Sequence, residues 1–201
     1  KNKFKTFIFL SSTRIYLNSV NGTKENIAIK LNSLDKNDYY NLLKITSECL
    51  CLSLNNKNIK IVRLSNVLGK NFYSPLVLPT FIKNAVLKSK ITLFINKIST
   101  KDYIPINDVI ELVLKINKNG KQQIYNVASG NNVRLIDLVN IIKRETDCSI
   151  LLKNQKKIIK EPKINISKIK KEFNYTPKFN FKNELIKLIK LFKYIKKIDN
   201  D

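Results

Sequence analysis

Histidine, methionine and tryptophan are absent from this 201-residue chain, and glycine (4), proline (5) and cysteine (3) are scarce. Without histidine, Ser-His-Asp and Cys-His catalysis are excluded, as are zinc sites with imidazole ligands. Cys49, Cys51 and Cys148 have no Cys-x-x-Cys spacing. Cys49 and Cys51 fall two apart on a predicted helix, where side chains do not face each other. They read as reduced thiols of a cytoplasmic protein. No apolar stretch is long enough to cross a bilayer. The run at residues 6–10 is too short for a signal-peptide core. The glycines stand at 22, 69, 120 and 130, so these residues hold no glycine-rich strand-turn-helix phosphate loop. With no methionine at position 1 and a strand almost at once, the expectation is a piece of a longer chain.

Positive charge is in excess: 38 Lys and Arg against 15 Asp and Glu, a net +23. Only Arg14, Arg63, Arg134 and Arg144 are arginines, and alanine occurs only at 28, 85 and 128, while Lys, Asn and Ile abound. The rare residues have GC-rich codons and the abundant ones AT-rich codons. Genome composition therefore explains the charge better than a polyanion partner, whose usual sign is an Arg/Lys cluster with readable aromatics. The expectation is no nucleic-acid partner and no membrane partner, with some attraction for anionic substrates. A hydrophobic content of 43% supports a sizeable core in one large or two small interleaved domains.

Residues 7–10 form an apolar run ending at Ser11-Ser12-Thr13, which predicts a buried strand that stops at a loop. Residues 18–36 are polar and irregular. Asp35 or Asn37 is positioned to cap a helix reaching about Leu54, with Leu42, Leu43, Cys49, Leu50 and Leu52 among its apolar positions. Residues 59–64 are β-branched and predict the next strand. Strand, long helix, strand is the grammar of a parallel βαβ unit. Further helices are predicted at 78–89, 108–116, 134–146, 166–173 and 182–196. Further strands are predicted at 91–95, 102–106, 124–127 and 150–153. The last helix carries Leu185, Leu188, Ile189, Phe192 and Ile195 at the spacing of one buried stripe.

Tyr40 and Lys44 stand four apart on the first long helix, hence on one face. A phenol, ordinarily near pKa ~10, is a poor base at neutral pH, and a neighbouring cation favours its phenolate. A hydroxyl from Ser11-Ser12-Thr13 would hold a substrate oxygen beside it. Such a set moves a proton on or off a carbinol.

Six segments in order resemble the extended short-chain dehydrogenase/reductase family, of the NAD-dependent epimerase/dehydratase, nucleotide-sugar type. They are residues 7–16 with the Ser-Ser-Thr turn; Tyr40 to Lys44, with Glu48 one turn on; Arg63-Leu64-Ser65-Asn66-Val67-Leu68-Gly69; Lys101-Asp102-Tyr103-Ile104-Pro105-Ile106-Asn107-Asp108; Ile124-Tyr125-Asn126-Val127-Ala128-Ser129-Gly130; and Ser167-Lys168 through Tyr175-Thr176-Pro177. The resemblance implies an α/β fold: a partial Rossmann, doubly wound parallel sheet lacking its first three strands, with a smaller α/β substrate-binding lobe. Residues 1–70 would be the C-terminal part of the NAD(P)-binding domain and 71–201 the lobe, with about 122–130 returning to the main sheet. It implies NAD or NADP as cofactor, a nucleotide-sugar substrate and a homodimer through the helix at 35–54.

By the same resemblance Tyr40 is the acid/base, Lys44 favours its ionisation and meets the nicotinamide ribose, and Ser12 holds the reacting oxygen. Leu10, Ser11 and the Leu64 backbone would line the cofactor. Asn66 would touch substrate, and Lys101 the diphosphate, as a point charge where the family has more often an arginine fork. Asp102 and Asp108 read as helix caps or structural partners rather than catalytic acids. The family's 4,6-dehydratases carry Asp-Glu after the turn's threonine. Here Thr13-Arg14 follow Ser12, so β-elimination lacks its acid and base, and epimerisation or keto-reduction fits better. Two alternatives remain: a catalytically silent sugar-nucleotide-binding remnant, and a basic nucleic-acid-binding module.

Overall fold

The computed structural model describes residues 4–19, 22–36, 38–153, 156–177 and 180–198. In chain order the elements are β1 Phe7–Ser12, α1 Tyr39–Ser53, β2 Ile59–Leu64, β3 Asn66–Leu68, α2 Val77–Lys88, β4 Lys90–Leu93 and β5 Thr100–Pro105. They continue with α3 Ile106–Asn119, β6 Ile124–Val127, β7 Asn132–Arg134, α4 Leu135–Thr146, β8 Ser149–Leu152, α5 Ser167–Phe173 and α6 Phe181–Ile198. The chain divides into two compact units, each assembled from three segments. The first is Lys1–Val67, Asp102–Asn132 and Glu161–Pro177; the second is Leu68–Lys101, Val133–Lys160 and Lys178–Asp201.

In the first unit β1, β2 and β6 form a parallel sheet in the order β1-β2-β6. β2 is central, and Ile59 through Arg63 are all buried, as a strand covered on both faces requires. The core is one cluster that includes Val62, Ile104, Leu112, Ile116, Tyr125, Val127 and Ile169. α3 joins it through Val109, Leu112 and Ile116, spaced as one helical stripe. The helix stops at Gly120, whose N–H donates to the Ile116 carbonyl at 2.9 Å. A Cβ at Gly120 would sit 2.5 Å from that same oxygen, so only glycine fits the approach.

In the second unit β4 and β8 pair in parallel, and α2, α4 and α6 pack on one another. Leu185, Ile189 and Phe192 are the buried stripe of α6, and the Phe192 ring lies 4.7 Å from that of Phe72.

α1 starts at Tyr39 rather than near Asp35, and the other suggested cap, Asn37, lies outside the described residues. Asp38 occupies the cap position, and its buried carboxylate takes donors from Asn41 Nδ2 (2.7 Å), the Asn32 N–H (2.9 Å) and Asn18 Nδ2 (3.0 Å). The loop before the helix is thus fastened to its first turn. Asp35 closes a turn through its carbonyl, which accepts from the Asp38 N–H at 2.8 Å. The leucines of α1 do not form its buried face: Leu42, Leu43 and Leu50 are exposed, whereas Asn41 and Glu48 are buried.

Candidate active site

β1 ends at Ser12, whose backbone is still extended (φ −140°, ψ 142°). Its hydroxyl accepts from the Arg14 N–H at 3.2 Å and so starts a single 3-10 turn over Thr13–Tyr16. Directly above this strand end, Lys44 Nζ of α1 donates to the Leu10 carbonyl at 3.0 Å. The same ammonium lies 5.1 Å from the centroid of the Phe9 ring and 5.8 Å from that of Tyr40. The Arg14 guanidinium lies over the Tyr40 ring, 5.6 Å from its centroid. The four-residue spacing thus puts Tyr40 and Lys44 on one face, turned to the C-terminal end of β1, with two cations, Lys44 and Arg14, over the phenol ring.

A buried polar chain fixes this arrangement from below. Ser11 donates its hydroxyl proton to Glu48, one turn beyond Lys44. Glu48 also receives Arg63 Nη2 at 2.6 Å and Nε at 3.1 Å, with both side chains almost wholly buried. Arg63 Nη1 donates to the Tyr16 hydroxyl at 2.6 Å, and that hydroxyl donates to Asn126 Oδ1 at 2.9 Å. Burial alone would pull the Arg63 guanidinium down, but Glu48 and Tyr16 outweigh it and hold it above its ordinary value. Burial pushes the Tyr16 phenol up, with Arg63 opposing, and the net shift is upward. The pair is therefore a charged guanidinium on a neutral phenol, which keeps its proton for Asn126.

The other singled-out residues are disposed as follows. Leu10 is half exposed, and its carbonyl is taken by Lys44. Ser11 is buried with its hydroxyl on Glu48. Leu64 ends β2 between Ser12 of β1 and Val127 of β6. Asn66 uses both amide protons, one on the Asp102 carbonyl (2.8 Å) and one on the Glu161 carboxylate (3.1 Å). Lys101 lies in β5 and belongs to the second unit. Ser12, Tyr40 and Lys44 are thus brought to one strand end, while Asn66 belongs to a separate cluster of the first unit.

Asp102 and Asp108 are structural partners. The Asp102 carboxylate accepts from the Ser129 N–H (3.0 Å) and hydroxyl (2.9 Å) and from the Asn131 N–H (3.0 Å). Burial pushes its carboxyl above the ordinary value, with the Ser65, Ser129 and Gly130 donors opposing. Asp108 accepts from the Tyr175 hydroxyl at 2.7 Å. Sequence reasoning missed Arg14 and Glu161 as neighbours of the singled-out residues. A signal for Arg14 was present: it is one of four arginines in a chain that otherwise uses lysine. Among the described residues no His/Cys/Asp/Glu group is arranged to hold a metal, and no helix is long and apolar enough to cross a membrane.

Comparison with known proteins bears on this geometry. The model of the NAD dependent epimerase/dehydratase family matches residues 1–128. UDP-glucuronic acid decarboxylase 1 of Arabidopsis thaliana is 20% identical over 196 residues, covering 93% of this chain and 45% of that protein. The dTDP-glucose 4,6-dehydratase of Bacillus anthracis, solved with NAD, superposes with a TM-score of 0.81 at 19% identity, covering 96% of this chain and 63% of that one. The UDP-glucuronic acid 4-epimerase of Bacillus cereus, solved with UDP-glucuronic acid and NAD, gives 0.77 at 22% identity, covering 95% and 63%. The chain thus spans under half the length of the curated relative and under two thirds of the solved ones, and its α/β fold is the Rossmann type of those structures. With its family model covering most of the chain and a parallel sheet ending at a tyrosine–lysine face, the chain belongs to the NAD-dependent epimerase/dehydratase family of extended short-chain dehydrogenases/reductases.

Proposed function

We propose that this chain carries the proton-transfer centre of an NAD(P)-dependent nucleotide-sugar epimerase or keto-reductase. The observation that supports it most is the Lys44 ammonium, held on the Leu10 carbonyl at the sheet's C-terminal end and set beside Tyr40. In open parallel sheets ligands bind outside the carboxyl ends of the strands.

The residues present fit a nicotinamide ribose. Lys44 has three donors and commits one to Leu10, so two remain for ribose hydroxyls. Leu10, the Ser11 backbone and Leu64 would line the same edge. Bound there, a nicotinamide supplies hydride chemistry that no side chain offers. Tyr40 accepts the proton of the sugar carbinol and later returns one, with Lys44 as the adjoining positive charge. Ser12 donates its hydroxyl proton to the reacting oxygen and orients it. Asn66 reaches substrate only through its carbonyl oxygen, because its two amide protons are committed. Lys101 would meet the diphosphate.

Dehydration is disfavoured, since Thr13 and Arg14 follow Ser12 without a carboxylate. We take the first unit as the cofactor-side domain and the second as the substrate lobe. The exposed stripe of Tyr39, Leu42, Leu43 and Leu50 on α1 supports pairing of two copies through that helix. Three free thiols accord with a cytoplasmic setting.

Tyr40→Phe tests the reading in the protein that carries this chain. Turnover of the nucleotide sugar falls by about 10²–10⁴-fold, the size of a lost general acid/base, while NAD(P) binding is retained. Unaltered turnover would overturn the assignment. A second reading, a sugar-nucleotide binder without hydride chemistry, rests on glycines that stand only at 22, 69, 120 and 130. It predicts UDP-sugar binding with no enhancement of NADH fluorescence.

A further inference from the structure

We infer that Arg14 is a positioning residue for the proton transfer at Tyr40: its guanidinium, laid over the phenol ring, sets the angle at which Tyr40 meets the oxygen that Ser12 also binds. This rests on the reading of Tyr40 as the acid/base, and it adds to that centre a member outside the Tyr40–Lys44 pair.

Tyr40 needs holding from outside its own helix. It is the second residue of α1, in the first turn, where backbone N–H groups have no intrahelical partner. Asp38, at the cap, makes no side-chain cap bond and instead binds the side chains of Asn41 and Asn18 and the Asn32 N–H. Lys44 Nζ lies 5.8 Å from the ring centroid, but it is drawn to the Leu10 carbonyl. The Arg14 guanidinium lies 5.6 Å from the centroid and comes from a different segment, the turn that follows β1. A planar guanidinium covers an aromatic face, where an ammonium acts as a point charge, so it restricts the tilt of the ring as well as its position.

Arg14 also reaches the second reacting group. Its backbone N–H donates to the Ser12 hydroxyl at 3.2 Å. A hydroxyl has one proton to give and two lone pairs to receive, so with Arg14 on a lone pair the Ser12 proton is left for the reacting oxygen. One residue thus orients Ser12 through its main chain and Tyr40 through its side chain. Those two groups must converge on a single oxygen, where a small misplacement is costly. The molecule uses the same device elsewhere: the Arg63 guanidinium lies 5.3 Å from the centroid of the Tyr16 ring. Arg14 and Arg63 each cover a tyrosine in a chain that otherwise supplies positive charge mainly with lysine.

The test uses Arg14→Gln and Arg14→Lys in the protein that carries this chain. Arg14→Gln lowers kcat for the nucleotide sugar about two- to fivefold, the size of one cation–π contact at a partly exposed site. KM stays unchanged, because the guanidinium acts on the phenol and not on substrate. Arg14→Lys, which keeps a charge, recovers part of the loss. Added to Tyr40→Phe, Arg14→Gln lowers the residual rate no further, since its effect passes through the phenol. Scalar couplings across the Tyr40 Cα–Cβ bond report one rotamer in the wild type and an average in Arg14→Gln. A rise in KM at constant kcat overturns the inference, because Arg14 would then be binding substrate. An unaltered kcat, or Tyr40 couplings that survive Arg14→Gln, overturn it too, and the acid/base reading stands as long as Tyr40→Phe abolishes turnover. If Tyr40→Phe leaves turnover unaltered, or the wild type turns over no nucleotide sugar, this inference and the reading beneath it fall together.

Discussion

Glu48→Gln tests what holds α1 in place. The substitution keeps the side chain's volume and removes only its charge, so no cavity is made. In the native chain the Glu48 carboxylate receives two nitrogens of Arg63 and the Ser11 hydroxyl, and the Arg63 and Glu48 side chains are 5% and 3% exposed. Breaking a buried pair leaves an uncompensated charge and costs ~3–5 kcal/mol. Arg63 keeps the Tyr16 hydroxyl and the Glu25 carbonyl, at 2.6 and 3.2 Å, so the lower end applies, about 3 kcal/mol. Against a typical total of ~5–15 kcal/mol this is a large fraction. The assay is urea unfolding followed by far-UV circular dichroism, read as a fall in midpoint at constant slope. Combining Glu48→Gln with Arg63→Met removes both charges and recovers part of the loss, which a double-mutant cycle reads as coupling. A loss below about 1 kcal/mol would refute the reasoning, because the pair would then behave like one in water.

Other consequences are as direct. Tyr16→Phe deletes the hydroxyl that accepts from Arg63 and donates to Asn126, and lowers stability by ~1–3 kcal/mol in the same assay. Phe192→Ala empties a fully buried site against Phe72 and costs ~3–5 kcal/mol, with thermal unfolding as the readout. Asp102 has its folded carboxyl pushed above the ordinary ~3.9 by burial, so the native state takes up its proton first. Its contribution to stability is therefore full below ~3.9 and is lost as pH rises through the folded value. A carbon-detected NMR titration of Asp102 with a midpoint at or below ~3.9 would contradict this.

The regular elements were legible because their signals are periodic. Residues 59–64 and 124–127 are strands as read, and α6 buries Leu185, Ile189 and Phe192 from the anticipated stripe. β3 and β7 span three residues each, too few for a period to register. The start of α1 differs from the reading because the Asp38 side chain binds Asn18 and Asn32 in the preceding loop and the Asn41 side chain, not the helix's backbone N–H groups. The Tyr40–Lys44 face was readable from local spacing, since four residues on a helix fix a direction. Arg14 over Tyr40, and Glu161 on Asn66, join segments far apart in the chain and leave no local pattern. The polar chain from Ser11 to Asn126 was hidden for the same reason, although each member lies within or beside a recognised segment.

Asn126 has a consequence for how the chain finds its pairing. In most half-buried strands a one-residue slip turns apolar side chains to water, and that penalty enforces alignment. β6 lacks this safeguard, because Tyr125, Asn126 and Val127 are all buried and a slip would exchange one interior position for another. Asn126 supplies the missing discrimination. Its amide protons go to the Thr23 and Asn165 carbonyls, its oxygen to Tyr16, and its backbone N–H to Glu25. A shifted β6 would leave these four partners unmatched in the interior, at ~1–3 kcal/mol apiece. One buried amide thus acts as an alignment key, admitting a single threading of the third strand.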